Sequence, residues 1–116
     1  MKIYNVTRDR CLADTAIMSD NFFSRLRGLM GRSSLPSGCC MVIKPCRSIH
    51  TMFMRFSLDV LFVDRRNKVV AMVCDLSPFR FSRYIKQACL AIEFPAGSLK
   101  STGTVPGDLI EIMMHK

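Results

Sequence analysis

Cys46 and His50 stand four residues apart, and a thiol with a nearby imidazole is the simplest nucleophile a chain can assemble. The imidazolium lowers the thiol pKa and favours the reactive thiolate. The two belong to the stretch Pro45 to Phe62, PCRSIHTMFMRFSLDVLF, which also holds Thr51, Arg55 and Asp59 among residues otherwise almost all apolar. A polar group in an apolar surround costs roughly 1–3 kcal/mol unless it is paired. Five such residues in one short segment imply a buried bonding network, a ligand site, or both.

Each candidate carries a plain reading beside the chemical one. The catalytic set would be Cys46 as nucleophile, His50 as base, and Asp59 or Glu93 to orient the ring. No family-specific protease pattern surrounds the cysteine, and the second histidine is the near-terminal His115. The balance therefore favours Cys46 filling a packing gap while His50 pins the loop through the backbone. Asp59 enters a buried strand and must find a donor, either Arg55 or a loop amide. Glu93 could serve as a general base if burial raised its pKa; the alternative is an acceptor for the turn around Gly97. Asp108 reads as turn chemistry, bonding local amides.

Two kinds of bound group are testable by residue type. Zinc prefers four tetrahedral S or N ligands, and Cys39, Cys40, Cys46 and His50 supply the right atoms. Their spacing lacks a knuckle, and adjacent cysteines on a strand point to opposite faces, so neither metal nor cofactor is expected. An arginine fork can instead present its edge to an anion. Arg47, His50, Arg55 and Arg80 form the expected ligand-binding set, with Arg83 beside them.

The elements that must position these residues are mostly strands. Lys2 to Thr7 and Cys11 to Met18 read as a hairpin turning at Arg8 to Arg10. Ser19, Asp20 and Asn21 offer N-caps for a helix over 22–31, with Phe22, Phe23, Leu26, Leu29 and Met30 on one face. Cys39 to Ile43 is a short strand. Leu58 to Asp64 and Lys68 to Leu76 form the clearest hairpin, closed by Arg65, Arg66 and Asn67. Ser77 to Lys86 is a loop rich in Phe and Arg. Ala88 to Phe94 and Asp108 to Met114 are strands, with one helical turn expected near Leu99. The sum is an α+β, mainly β domain of seven or eight short strands with one helix near the start. A small curled sheet or barrel is expected, because closure removes exposed edges.

Composition bounds what such a domain does. The chain has 116 residues, is 49% hydrophobic and 22% charged, and contains no linker or repeat, so 1–116 is expected to be a single domain. No secretory signal is evident, and the longest apolar run falls far short of the roughly 20 residues needed to span a membrane. With six cysteines and no C-x-x-C pair, reduced thiols in the cytoplasm are expected. Seventeen Lys and Arg against nine Asp and Glu give a formal charge of +8. The excess favours anionic partners, but the arginines are dispersed along the chain and Trp is absent, which argues against a nucleic-acid module.

The chain also resembles the domain-of-unknown-function family 192. The resemblance rests on Gly28-Leu29-Met30-Gly31-Arg32, Ile49-His50-Thr51-Met52-Phe53-Met54, and Leu58 to Asp64. It continues through Lys68-Val69-Val70, Glu93-Phe94-Pro95-Ala96-Gly97 and Gly107-Asp108. It implies a mostly β fold with an early helix, and brings no established activity. Many members carry a Trp and an Asn-Thr pair in the central motif, which here reads His50-Thr51-Met52-Phe53-Met54-Arg55-Phe56. His50, Met54, Asp59 and Glu93 are the landmarks it carries over. The expectation is a small non-enzymatic binding or accessory domain with a polar, anion-binding site in 45–62, and a small anion or a protein as partner. The alternative is a thiol enzyme using Cys46 and His50.

Overall fold

Strands buried on both faces read as continuous apolar runs, and β4 (Cys39–Ile43), β5 (Leu58–Val63) and β7 (Leu90–Pro95) are such strands. A computed structural model of the chain describes residues 1–19, 35–52 and 54–114. The helix expected over 22–31 lies outside the described residues. The other strands are β1 (Lys2–Asn5), β2 (Arg10–Ala13), β3 (Thr15–Ser19), β6 (Val69–Leu76) and β8 (Ile110–Met113). A single 3-10 turn, Lys100–Thr102, stands where the helical turn near Leu99 was expected.

The strands form two sheets, ordered β2-β1-β8 and β3-β4-β7-β5-β6. Neither closes, which corrects the expectation of a barrel. Cys11 to Met18 is also two strands rather than one. The amides of Asp14 and Thr15 both donate to the Gly38 carbonyl, at 3.0 and 3.1 Å. That contact turns the chain out of the first sheet into the second, where β3 pairs parallel to β4. Gly38 sits at φ +81°, and a Cβ there would meet Asp14 Oδ1 at 3.1 Å, so the corner requires glycine.

The five-stranded sheet is the centre of the molecule. One face packs on the three-stranded sheet through Ile3, Leu12, Cys40, Val42, Leu61, Ile92, Phe94 and Ile110. The other face, with Met41, Ile43, Leu58, Val60, Phe62 and Ala91, is covered by chain without regular structure, through Ile49, Met54, Ile85 and Ala88. Phe62 and Phe94 are fully buried on opposite faces, each contributing about 1.5–3 kcal/mol of transfer free energy. Cys39 and Cys40 diverge to the two faces as period-two alternation demands.

The β5–β6 hairpin turns where expected. Asp64 Oδ1 accepts the Arg66 and Lys68 amides at 2.9 and 3.0 Å, and Asn67 takes φ 64°, a left-handed conformation asparagine tolerates. A polar cluster holds the loop before β8 against β1 and the β1–β2 turn. Asp108 Oδ2 accepts from Asn5 Nδ2 (3.0 Å), Arg8 Nε (3.0 Å) and the Val105 amide (3.1 Å). Burial pushes the Asp108 carboxyl upward, but donation from Arg8, Asn5 and Val105 outweighs it and holds the group below its ordinary value. The local-amide reading of Asp108 is thus met through Val105, with Arg8 and Asn5 added.

Candidate functional site

The irregular cover over the second face is held by its backbone. Residues 47–51 and 79–85 run alongside one another, with Phe79 N donating to Thr51 O (2.9 Å) and Thr51 N to Arg80 O (2.8 Å). Ser82 N donates to Ile49 O (2.8 Å) and Ile85 N to Arg47 O (2.7 Å). Thr51, fully buried, donates through Oγ1 to Ser77 O at 2.6 Å and accepts the Arg80 amide at 2.9 Å. Its place in the polar constellation is therefore structural. Met54, a landmark of the central motif, is buried against the same sheet face.

A cleft of about 510 Å3 lies beside Pro45 to His50, with Ile43, Tyr84, Ala88 and Cys89 completing its walls. Ile43, Pro45, Ile49 and Ala88 give it apolar walls, while Cys46, Arg47, His50 and Tyr84 give it polar edges. Arg47 is exposed yet anchored: Nε donates to Ala88 O at 3.2 Å and Nη1 to Tyr84 Oη at 3.3 Å. His50 is half-buried; its Nδ1 accepts the Met52 amide at 3.3 Å, which leaves the proton of the neutral ring on Nε2. Its ring tilts against Phe81, with centroids 5.9 Å apart. The Cys46 thiol donates to Ser48 O at 3.1 Å.

The fold thus brings Cys46, Arg47 and His50 to one cleft. Arg55 and Arg80 are exposed and do not line it. Arg80 meets this region through its backbone, at Thr51.

The two carboxylates are separated by the sheet between them. Val60 stands opposite Glu93 and Asp59 opposite Phe94, so the side chains of Asp59 and Glu93 leave β5 and β7 on opposite faces. Asp59 is buried on the side of the three-stranded sheet. Its Oδ1 accepts the Asp75 amide at 2.9 Å and its Oδ2 the Leu99 amide at 3.1 Å. The donors are loop and bulge amides, and Arg55 is not among them. The Gly97 turn, expected to serve Glu93, sends its Leu99 amide to Asp59. Glu93 itself is fully buried in the middle of the sheet.

Among the described residues no cluster of three or more His, Cys, Asp or Glu could hold a metal ion. All six cysteines are free thiols. Cys11 and Cys74 are exposed on their strands. Burial, with Cys39 beside it, pushes the Cys40 thiol up to about 12. No helix among the described residues is long and apolar enough to cross a membrane.

The sequence reading did not nominate Tyr84, which fixes Arg47 from 37 residues away. Its only signal was membership of the loop rich in Phe and Arg.

The family model DUF192, uncharacterized ACR, matches residues 4–112. A UPF0127 protein of Pyrococcus furiosus is 30% identical over 112 residues, covering 92% of this chain and 94% of that protein. A UPF0127 protein of Pyrococcus abyssi is 35% identical over 99 residues, covering 81% and 82%. The crystal structure of a protein of unknown function from Novosphingobium aromaticivorans superposes with a TM-score of 0.79 at 18% identity. It spans 96% of this chain and 82% of that one, a likeness of fold.

Proposed function

Since the chain belongs to the DUF192 family of uncharacterised proteins, we propose that it is a cytoplasmic binding domain whose cleft takes a small anionic ligand. The observation that carries this reading is the fixed guanidinium of Arg47 at the edge of the apolar cleft. Two of its nitrogens are committed to Ala88 and Tyr84, and Nη2 makes no hydrogen bond among the described residues. A fork held in this way loses little conformational entropy when a carboxylate or phosphate meets it. The walls of Ile43, Ile49 and Ala88 suit a short apolar body behind that charge. The test is a melting-temperature screen with short-chain carboxylates and phosphomonoesters, since a ligand of the folded state raises Tm by mass action. Arg47→Gln should remove the response, and a flat response across both classes would defeat the reading.

A second reading, thiol chemistry, is favoured by Cys46 and His50 reaching the same cleft. It requires His50 to accept a proton while its Nδ1 already accepts the Met52 amide. Limiting iodoacetamide separates the two. A nucleophilic Cys46 reacts ahead of the exposed Cys11, and a packing Cys46 reacts behind it.

A further inference from the structure

Four of the arginines scattered along the sequence, Arg47, Arg55, Arg80 and Arg83, fall in the irregular cover of the central sheet. Residues 44–57 and 77–89, the irregular segments over one face of the central sheet, contain Lys44, Arg47, Arg55, Arg80, Arg83 and Lys86 and no acidic residue. All six are exposed. The same cover displays three large aromatic rings: Phe79, Phe81 and Tyr84 are 54%, 72% and 63% exposed. In the run Phe79-Arg80-Phe81-Ser82-Arg83-Tyr84, rings and guanidinium groups alternate. The bonds from Phe79, Arg80, Ser82 and Ile85 to residues 47–51 hold the backbone of this run in place.

We infer that this aromatic and arginine-bearing loop, 79–86, is a docking surface for single-stranded nucleic acid. Exposed rings offer stacking platforms that any base can use, and interleaved cations meet the phosphates between bases. Alternation distinguishes this partner from a bilayer. A single strand repeats base and phosphate in the same order as ring and cation along this run, and a bilayer surface offers no such repeat. The cover is also pre-organised, so little ordering cost opposes association. The inference does not rest on the cleft reading: Tyr84 borders both surfaces, but Phe79, Arg80, Phe81 and Arg83 do not line the cleft.

The experiment is a fluorescence-anisotropy titration of the full chain with a labelled single-stranded DNA oligomer, repeated with the RNA version, the matching duplex and phosphatidylserine vesicles. Single strands are expected to bind more tightly than duplex, with log K falling linearly in log salt. Arg80→Gln with Arg83→Gln should reduce that slope by about 1.4, at roughly 0.7 per contact for single strands. Arg10→Gln with Lys100→Gln, which removes equal charge from exposed positions elsewhere, should leave it unchanged. Phe81→Leu should weaken binding about tenfold, a loss in the range for one stacked base. Phe81→Tyr should retain affinity, and circular dichroism should show both variants folded. The inference is overturned by absent binding, by equal affinity for duplex, by equal loss in the Arg10 and Lys100 control, or by a Phe81→Leu variant that binds normally. Retention on vesicles without oligomer binding overturns it in favour of a membrane surface.

Discussion

The carboxylate of Asp59 accepts the amide of Leu99, forty residues further along the chain, at 3.1 Å. Its other oxygen takes the Asp75 amide, where β6 bulges: Leu58 and Val60 face Leu76 and Val73, with an extra residue on the β6 side. Asp75 sits at φ 56° in that bulge, and its amide turns to the carboxylate instead of the ladder. One buried side chain therefore fixes both the bend of an edge strand and the turn after β7.

Asp59→Ala should destabilise the protein by about 2–4 kcal/mol, because it leaves two amides without their acceptor. Asp59→Asn keeps one acceptor oxygen and should lose less. Chemical denaturation of the three proteins measures the difference; equal stability of Asp59→Ala and the parent would refute this account of the bulge.

Thr51→Val preserves shape but strips the hydroxyl that joins Ser77 O to the Arg80 amide. A loss of about 1–3 kcal/mol is expected for the unpaired groups. Hydrogen exchange should accelerate at Phe79 and Arg80 before it changes in β5. Uniform acceleration would show that the cover is not a separate cooperative unit.

Acid should expose the Asp108 cluster. A carboxyl held below its ordinary 3.8 in the folded state binds its proton less readily there than in the unfolded chain. Its contribution to stability is therefore complete above that value and is lost as pH falls through the lower folded one. Arg8→Met removes a bonding partner and should flatten this acid limb, with little effect on the shape of the curve near neutrality. Denaturant midpoints collected from about pH 2 to 7 read the effect.

Thiol accessibility should follow burial and local charge. Cys11, exposed, labels early. Cys74 is also exposed, but partial burial and the charges of Asp59 and Asp75 raise its thiol, so it should lag. Cys40 should resist until the chain unfolds. Timed iodoacetamide labelling with peptide mapping gives the order, and early modification of Cys40 would contradict the packing described.

Much of this architecture is legible in the residues. The runs Leu58 to Val63 and Leu90 to Phe94 announce buried strands, and Arg65-Arg66-Asn67 announces the turn between β5 and β6. The split of Cys11 to Met18 is not, because Asp14 lies between two equally strand-prone halves. The switch of sheet depends on the Gly38 carbonyl, 24 residues away. The site divides in the same way. That Cys46, Arg47 and His50 share a region follows from their closeness in sequence. Arg55 and Arg80 are drawn elsewhere because backbone bonds, which leave no side-chain periodicity, decide how the cover lies. The donors to Asp59 were equally hidden, since a bulge amide carries no residue signature.

The central sheet is stacked against another sheet on one side and wrapped by irregular chain on the other. Substitutions on the first side must preserve volume in both layers at once. On the second, loop residues can be exchanged with only a shallow apolar footprint to maintain. A new ligand preference can therefore be built into the wrapped side by loop exchange alone, while the stacked side continues to carry the fold.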